Sequence, residues 1–96
     1  MNVVYRQRAL ADIDDIFQYL QERNPAGARN VMRAIHDGIR IIGRLPYASR
    51  RTSNPEIRVR IVPRYRYKIF YRIIDADTIR IIHIRHASRR PWTPEE

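Results

Sequence analysis

Hydrophobic positions along this chain keep two different periods, and the period changes near the middle. Leu10, Ile13, Ile16, Phe17 and Leu20 recur at the three-and-four spacing of an amphipathic helix. Ahead of them Val3-Val4-Tyr5 is a short β-rich run. Asp12, Asp14 and Asp15 fall in the early turns of the helix, where negative charge complements its dipole. Asn24-Pro25 ends it, because proline disfavours helical geometry at the residue before it. Asn24 can then cap a second helix with Pro25 at its first position. The second stripe is Ala28, Val31, Met32, Ile35, Ile39, Ile42 and Leu45, with Arg29, Arg33, Asp37, Arg40 and Arg44 largely off it, and Pro46 stops it. So short a link predicts an antiparallel helical hairpin.

Residues 46–55 are expected to form a loop, with two prolines, two serines, Thr52 and Asn54. The period then becomes two. Ile57, Val59 and Ile61 alternate with Arg58 and Arg60 as far as Pro63-Arg64. The next strand is predicted from Tyr65 to Ile74, with Tyr65, Tyr67, Ile69, Tyr71 and Ile73 facing the core and Arg66, Lys68, Phe70, Arg72 and Ile74 opposite. After the turn Asp75-Ala76-Asp77, the last strand runs from Thr78 to His86. Its alternation sets Arg80, Ile82, Ile84 and His86 against Ile79, Ile81, His83 and Arg85. Three such strands are most simply an antiparallel meander. The predicted architecture is α+β, in the order β-α-α-β-β-β, as a single domain over 1–96. A helical hairpin covers one face of a small, mainly antiparallel sheet, and the other face carries the arginines.

Charge adds a direction to this layout. Residues 46–96 hold 12 of the 19 basic residues and 5 of the 10 acidic ones, a net of +7, so residues 1–45 hold only +2 of the total +9. So lopsided a field marks a surface for a polyanion or an acidic partner. The pI near 11.0 exceeds the value of about 9 usually associated with a nucleic-acid footprint. Lys68 is the one lysine and 18 residues are arginine, the side chain suited to planar, bidentate contact with phosphate or carboxylate. The absence of cysteine excludes disulfides and cysteine-based metal sites or nucleophiles. Met1 leads directly into a strand-like run with no signal-peptide pattern, and no apolar stretch approaches the roughly 18 residues of a membrane span. A cytoplasmic protein with no membrane partner is the expectation.

The order β-α-α-β-β-β in under 100 residues resembles the RelE/ParE superfamily of type II toxin–antitoxin toxins. The strand Tyr67-Lys68-Ile69-Phe70-Tyr71-Arg72-Ile73 with its acidic turn carries the resemblance. So does Ile79-Arg80-Ile81-Ile82-His83-Ile84-Arg85-His86, with Arg89 three residues beyond His86. The resemblance implies a toxin held by a cognate antitoxin whose acidic C-terminal segment wraps around it in a hetero-oligomer. RelE-like members cut mRNA in the ribosomal A site; ParE-like members are similar in fold but poison DNA gyrase. The long helical hairpin and Pro91-Trp92, where RelE-like nucleases carry a C-terminal tyrosine, favour the ParE-like branch.

Metal-independent RNA cleavage would require a base for the 2′-hydroxyl, a cation for the phosphorane and an acid for the leaving oxygen. The residues that could serve are Arg58, Arg60, Lys68, His86 and Arg89, but arginine does not deprotonate in proteins. His86 is the group with a suitable pKa, and a histidine ending a strand more often fixes a turn. His83 shares a face with Ile79 and Ile81, and His36 belongs to the helix surface. No metal or other cofactor is expected. Tyr65, Tyr67 and Tyr71 could stack on bases, although their alternation fits a core face. For binding a target or an antitoxin the candidates are Arg58, Arg60, Arg66, Lys68, Arg72, Arg80, Arg89, Arg90 and Trp92. The arginines alternating on three adjacent strands should merge into one basic surface. Trp92 either caps the core edge or is an exposed anchor. Three functions compete: a gyrase-inhibiting toxin of the plasmid-stabilisation kind, which would not be an enzyme; a ribosome-dependent mRNA endoribonuclease; and a non-toxic basic nucleic-acid-binding module.

Overall fold

The computed structural model of the protein describes residues 1–88. Its elements are β1 (Asn2–Tyr5), α1 (Gln7–Arg23), α2 (Pro25–Arg44), β2 (Arg50–Arg51), β3 (Ile57–Ile61), β4 (Tyr67–Asp75) and β5 (Thr78–His86). The strands form one sheet in the order β1-β5-β4-β3-β2. Strands β2 to β5 are antiparallel neighbours, whereas β1 lies parallel to β5 with Val3 beside Ile79. The α+β architecture expected from the periods is therefore present. The addition is β2, two residues inside the expected loop, with Arg50 opposite Val59.

Asn24 is the whole connection between the helices. Its N–H donates to Leu20 O at 2.7 Å, and its Oδ1 accepts the Gly27 N–H at 3.0 Å. It thus closes α1 and caps α2, with Pro25 at the first helical position. Gly27 makes room for this cap, since a Cβ there would stand 2.7 Å from Asn24 Nδ2. Helix α2 is the well-packed one. Ala28, Val31, Ile35, Ile39 and Ile42 are all buried, and Gly38 lets the backbone settle onto β4, where a Cβ would lie 3.0 Å from Ile69 Cδ1.

Helix α1 is held less tightly. Its inward line is Ala9, Ile13, Ile16 and Leu20, and of these Ala9 alone is sealed. Leu10, expected on the core stripe, flanks that line and is 53% exposed. Leu45, expected on the stripe of α2, is 57% exposed because it is the residue after the helix, with a non-helical backbone.

Cross-strand partners share a face of the sheet, so the register fixes what each side presents. Ile69 opposite Ile84 and Tyr71 opposite Ile81 face the helices and join Ile79, Val31, Ile35, Ile39 and Ile42 in the main core. Tyr65 and Tyr67 pack against it, so the tyrosine face is a core face. The Tyr71 hydroxyl, fully buried, donates to Pro46 O at 2.6 Å.

Two expectations about faces fail. In β5, Phe70 lies opposite His83 while Tyr71 lies opposite Ile81, so Ile82 is the extra residue of a β-bulge. The bulge reverses the alternation beyond it. Ile84 and His86 share the helix side with Ile79 and Ile81, whereas Ile82, His83 and Arg85 turn the other way. In β3, Arg58 and Arg60 lie opposite Tyr71 and Ile69, and therefore on the helix side. Ile57 and Val59 turn to the far face, where they form a second apolar cluster with Phe70 and Ile82. The single basic surface expected from alternation is thus divided between the two sides of the sheet.

Candidate partner-binding site

Strand β1 has four residues and β5 has nine, so β5 outruns its parallel neighbour. The last backbone bond between them is from Arg6 N–H to Ile81 O at 2.9 Å. Beyond it, Asp12 of α1 takes the place of a strand. Its Oδ2 accepts the Ile84 N–H at 2.9 Å and lies 2.7 Å from His83 Nδ1. Since a carboxylate only accepts, Nδ1 carries the hydrogen of that bond. The other side of the His83 ring stacks on Phe70 at 6.0 Å between centroids. One aspartate therefore fixes α1, the open edge of β5 and the bulge together.

Past Asp12 the space between α1 and the sheet opens into a groove of about 800 Å³. Ile16, Tyr19 and Leu20 form its helix wall, and Tyr67 and Ile84 its floor. Arg8 and Asp15 stand on the helix side, and Arg85, His86 and Ser88 on the strand side. Tyr19 is 55% exposed, with the Arg23 guanidinium 3.7 Å over its ring. Partly exposed apolar walls rimmed by charge suit a peptide segment that carries both apolar and charged residues.

The far face of the sheet carries the other chemical signal. Lys68 lies directly opposite Arg85, and Arg72 directly opposite Arg80, with Phe70 and Ile82 between the two pairs. Like charges directly across a strand pair repel, so these four cations concentrate positive potential on the far face. Glu56 already pairs with Arg72. Of the candidate binding residues, Lys68, Arg72 and Arg80 are brought together. Arg66 lies in the turn before β4. Arg58 is diverted, donating to Ser49 O at 2.8 Å and Tyr47 O at 3.3 Å. Arg60 stands on the helix side with its Nε buried. Arg89, Arg90 and Trp92 lie outside the described residues. Arg85 and Asp12 were missed by the sequence. The bulge that turns Arg85 outward has no glycine or proline to announce it, and Asp12 is one of three neighbouring aspartates.

Among the described residues, the candidates for RNA cleavage are divided between the two sides of the sheet. Lys68 is on the far face, Arg58 and Arg60 on the helix side, and His86 stacks edge-on against Tyr67 at 5.1 Å. His86 Nδ1 accepts the Ser88 N–H at 3.1 Å and lies 2.7 Å from Ser88 Oγ, which fixes the turn after β5. Among the described residues no group of three His, Asp or Glu could hold a metal ion, and no helix is long and apolar enough to cross a membrane.

Comparison with known proteins fits this geometry. Residues 3–91 match the family model of the ParE toxin of the type II toxin–antitoxin system parDE. Among solved structures, the chromosomal ParDE system from P. aeruginosa is similar with a TM-score of 0.77 and 20% identity, covering 90% of this chain and 95% of that one. The intact RelBE toxin–antitoxin complex of E. coli is similar at 0.66 and 16% identity, with coverage of 92% and 98%. The YoeB/ParE toxin from Agrobacterium tumefaciens gives 0.63 and 17%, with coverage of 90% and 98%. No curated protein matches the chain significantly. With nearly the whole chain inside the family model and this fold, the chain belongs to the ParE toxin family of type II toxin–antitoxin systems.

Proposed function

We propose that this protein inhibits a DNA gyrase-type topoisomerase and is neutralised by a cognate antitoxin lying along the groove between α1 and β5. The observation that carries the choice of target is the separation of Lys68, on the far face, from Arg58, Arg60 and His86 on the helix side. General acid–base catalysis needs the base, the acid and the stabilising cation within hydrogen-bond reach of one phosphate. Cations on opposite sides of a sheet cannot surround it. Inhibition by binding requires a surface and no proton transfer, and the far face with its paired cations is such a surface.

The antitoxin assignment rests on the groove and on a relative. The similar RelBE structure is a toxin–antitoxin complex. The groove offers a partner segment apolar walls and a charged rim, and an acidic, partly disordered partner would order itself on contact. The expected antitoxin carries such a segment.

The test combines two assays on purified protein. Gyrase supercoiling should fall as the protein is added and recover when the antitoxin encoded beside it is supplied. Ribosome-bound mRNA should yield no codon-phased cuts. Codon-phased cleavage that disappears in His86→Ala, with supercoiling untouched, would replace this reading by that of a ribosome-dependent nuclease.

A further inference from the structure

The hairpin joining β3 to β4 holds two arginines in a backbone conformation that glycine normally fills. Arg64 has φ of 74° and Arg66 of 63°; they are the two positive-φ non-glycine residues in the described chain. The Tyr65 N–H donates to Pro63 O at 2.8 Å across Arg64, which is the γ-turn of positive φ, a rare and strained turn. The Arg66 N–H closes a wider loop onto Val62 O at 3.0 Å, and Arg66 O accepts the Ala87 N–H at 2.7 Å. None of these bonds uses an arginine side chain, so glycine would satisfy all of them with less strain. Strained backbone clusters at active sites, ligand clamps and switch regions.

Those side chains are two exposed guanidiniums, neither ion-paired to a described residue, with Arg64 lying 5.7 Å from the Tyr65 ring centroid. Between Glu56 and Asp75 the chain has six basic residues and no acidic one, so nothing nearby in sequence neutralises the tip. The bond from Ala87 to Arg66 sets the tip beside the end of β5, where His86 and Ser88 line the groove and Arg85 stands opposite Lys68. We propose that Arg64 and Arg66 form an anion-recognition site at one end of the groove that binds carboxylates of an acidic peptide segment whose apolar part lies between α1 and β5. Two planar forks two residues apart suit carboxylate side chains. Ile16, Leu20, Tyr67 and Ile84 in the neighbouring groove favour a peptide over a nucleic-acid strand. The inference rests on the groove being a peptide-docking site.

The experiment measures binding of three fluorescent probes to the full chain. One is a glutamate-rich peptide without apolar residues, one an amphipathic peptide containing the same acidic run, and one a single-stranded oligonucleotide of equal charge. The doubly substituted variant R64G/R66G should bind both peptides about tenfold more weakly, and R64K/R66K should retain most of that affinity. The Tm of R64G/R66G should rise by about 4 °C or more as the strain is relieved. Leu20→Ala should weaken the amphipathic peptide alone. If the amphipathic peptide binds R64G/R66G as tightly as wild type, the tip is not the site, although the groove survives. If Leu20→Ala changes nothing while both peptides still need the tip, the groove reading fails and the anion site stands. Tighter, tip-dependent binding of the oligonucleotide would make nucleic acid the occupant and overturn the proposal. A fall in Tm for R64G/R66G would show that the arginines serve the turn itself.

Discussion

Replacing Asp12 by alanine removes one acceptor from two donors, Ile84 N–H and His83 Nδ1. Each would be left without that partner in a part-buried place, and the cost of such a loss is about 1–3 kcal/mol. Asp12→Ala should therefore destabilise by about 2 kcal/mol in urea unfolding, and Asp12→Asn, which keeps one acceptor oxygen, by clearly less. Equal stability of all three would mean that the carboxylate is dispensable to the fold. The cap between the helices gives a second test. Alanine is a better helix former than glycine by about 1 kcal/mol, yet Gly27→Ala crowds the Asn24 side chain that caps α2. Loss of that cap costs about 1 kcal/mol, so the substitution should gain nothing, whereas it would stabilise α2 if the cap were idle. Asn24 and Pro25 were legible in the sequence because capping is local. The partnership of Asp12 with His83 was not, because it joins residues 71 positions apart through a bulge that alternation does not register.

At the scale of elements, the two helices should behave differently although their sequences carry similar stripes. Helix α2 has seven buried residues and α1 has one. Amide exchange follows local opening, and thinly buried elements open first. Exchange along α1 should be faster than along the middle of α2, and a partner seated in the groove should slow α1 most. Uniform protection in the free protein would contradict this. Ile35→Asp, which places an unpaired charge at the centre of α2, should cost several kcal/mol, a large part of a small domain's stability. Thermal unfolding at the wild-type temperature would refute its burial. The stripes, the helix boundaries and the tyrosine face of β4 were legible because each is a repeat within one element. The side on which Arg58 and Arg60 fall was not, since β3 alternates equally well either way up and the register with β4 decides.

For the molecule as a whole, the +9 charge is concentrated in its second half, and the sheet gathers much of it at Lys68, Arg72, Arg80 and Arg85. Charges of this kind act mainly on the rate of encounter. Association with an acidic antitoxin should slow as salt rises from low ionic strength to beyond the physiological value, where the Debye length is about 8 Å. A rate indifferent to salt would remove the basic half from the docking surface. Lone expression should arrest growth, and co-expression with the antitoxin should restore it.

The parallel pairing of β1 with β5 carries a consequence for synthesis. Val3 leaves the ribosome well before its strand partner Ile79, many residues further along the chain. Until β5 emerges, β1 has no strand to join and the main core lacks Ile79, Ile81 and Ile84. Pairings so distant in sequence form late. The folded surface presented to other molecules thus comes into being only after β5 has emerged.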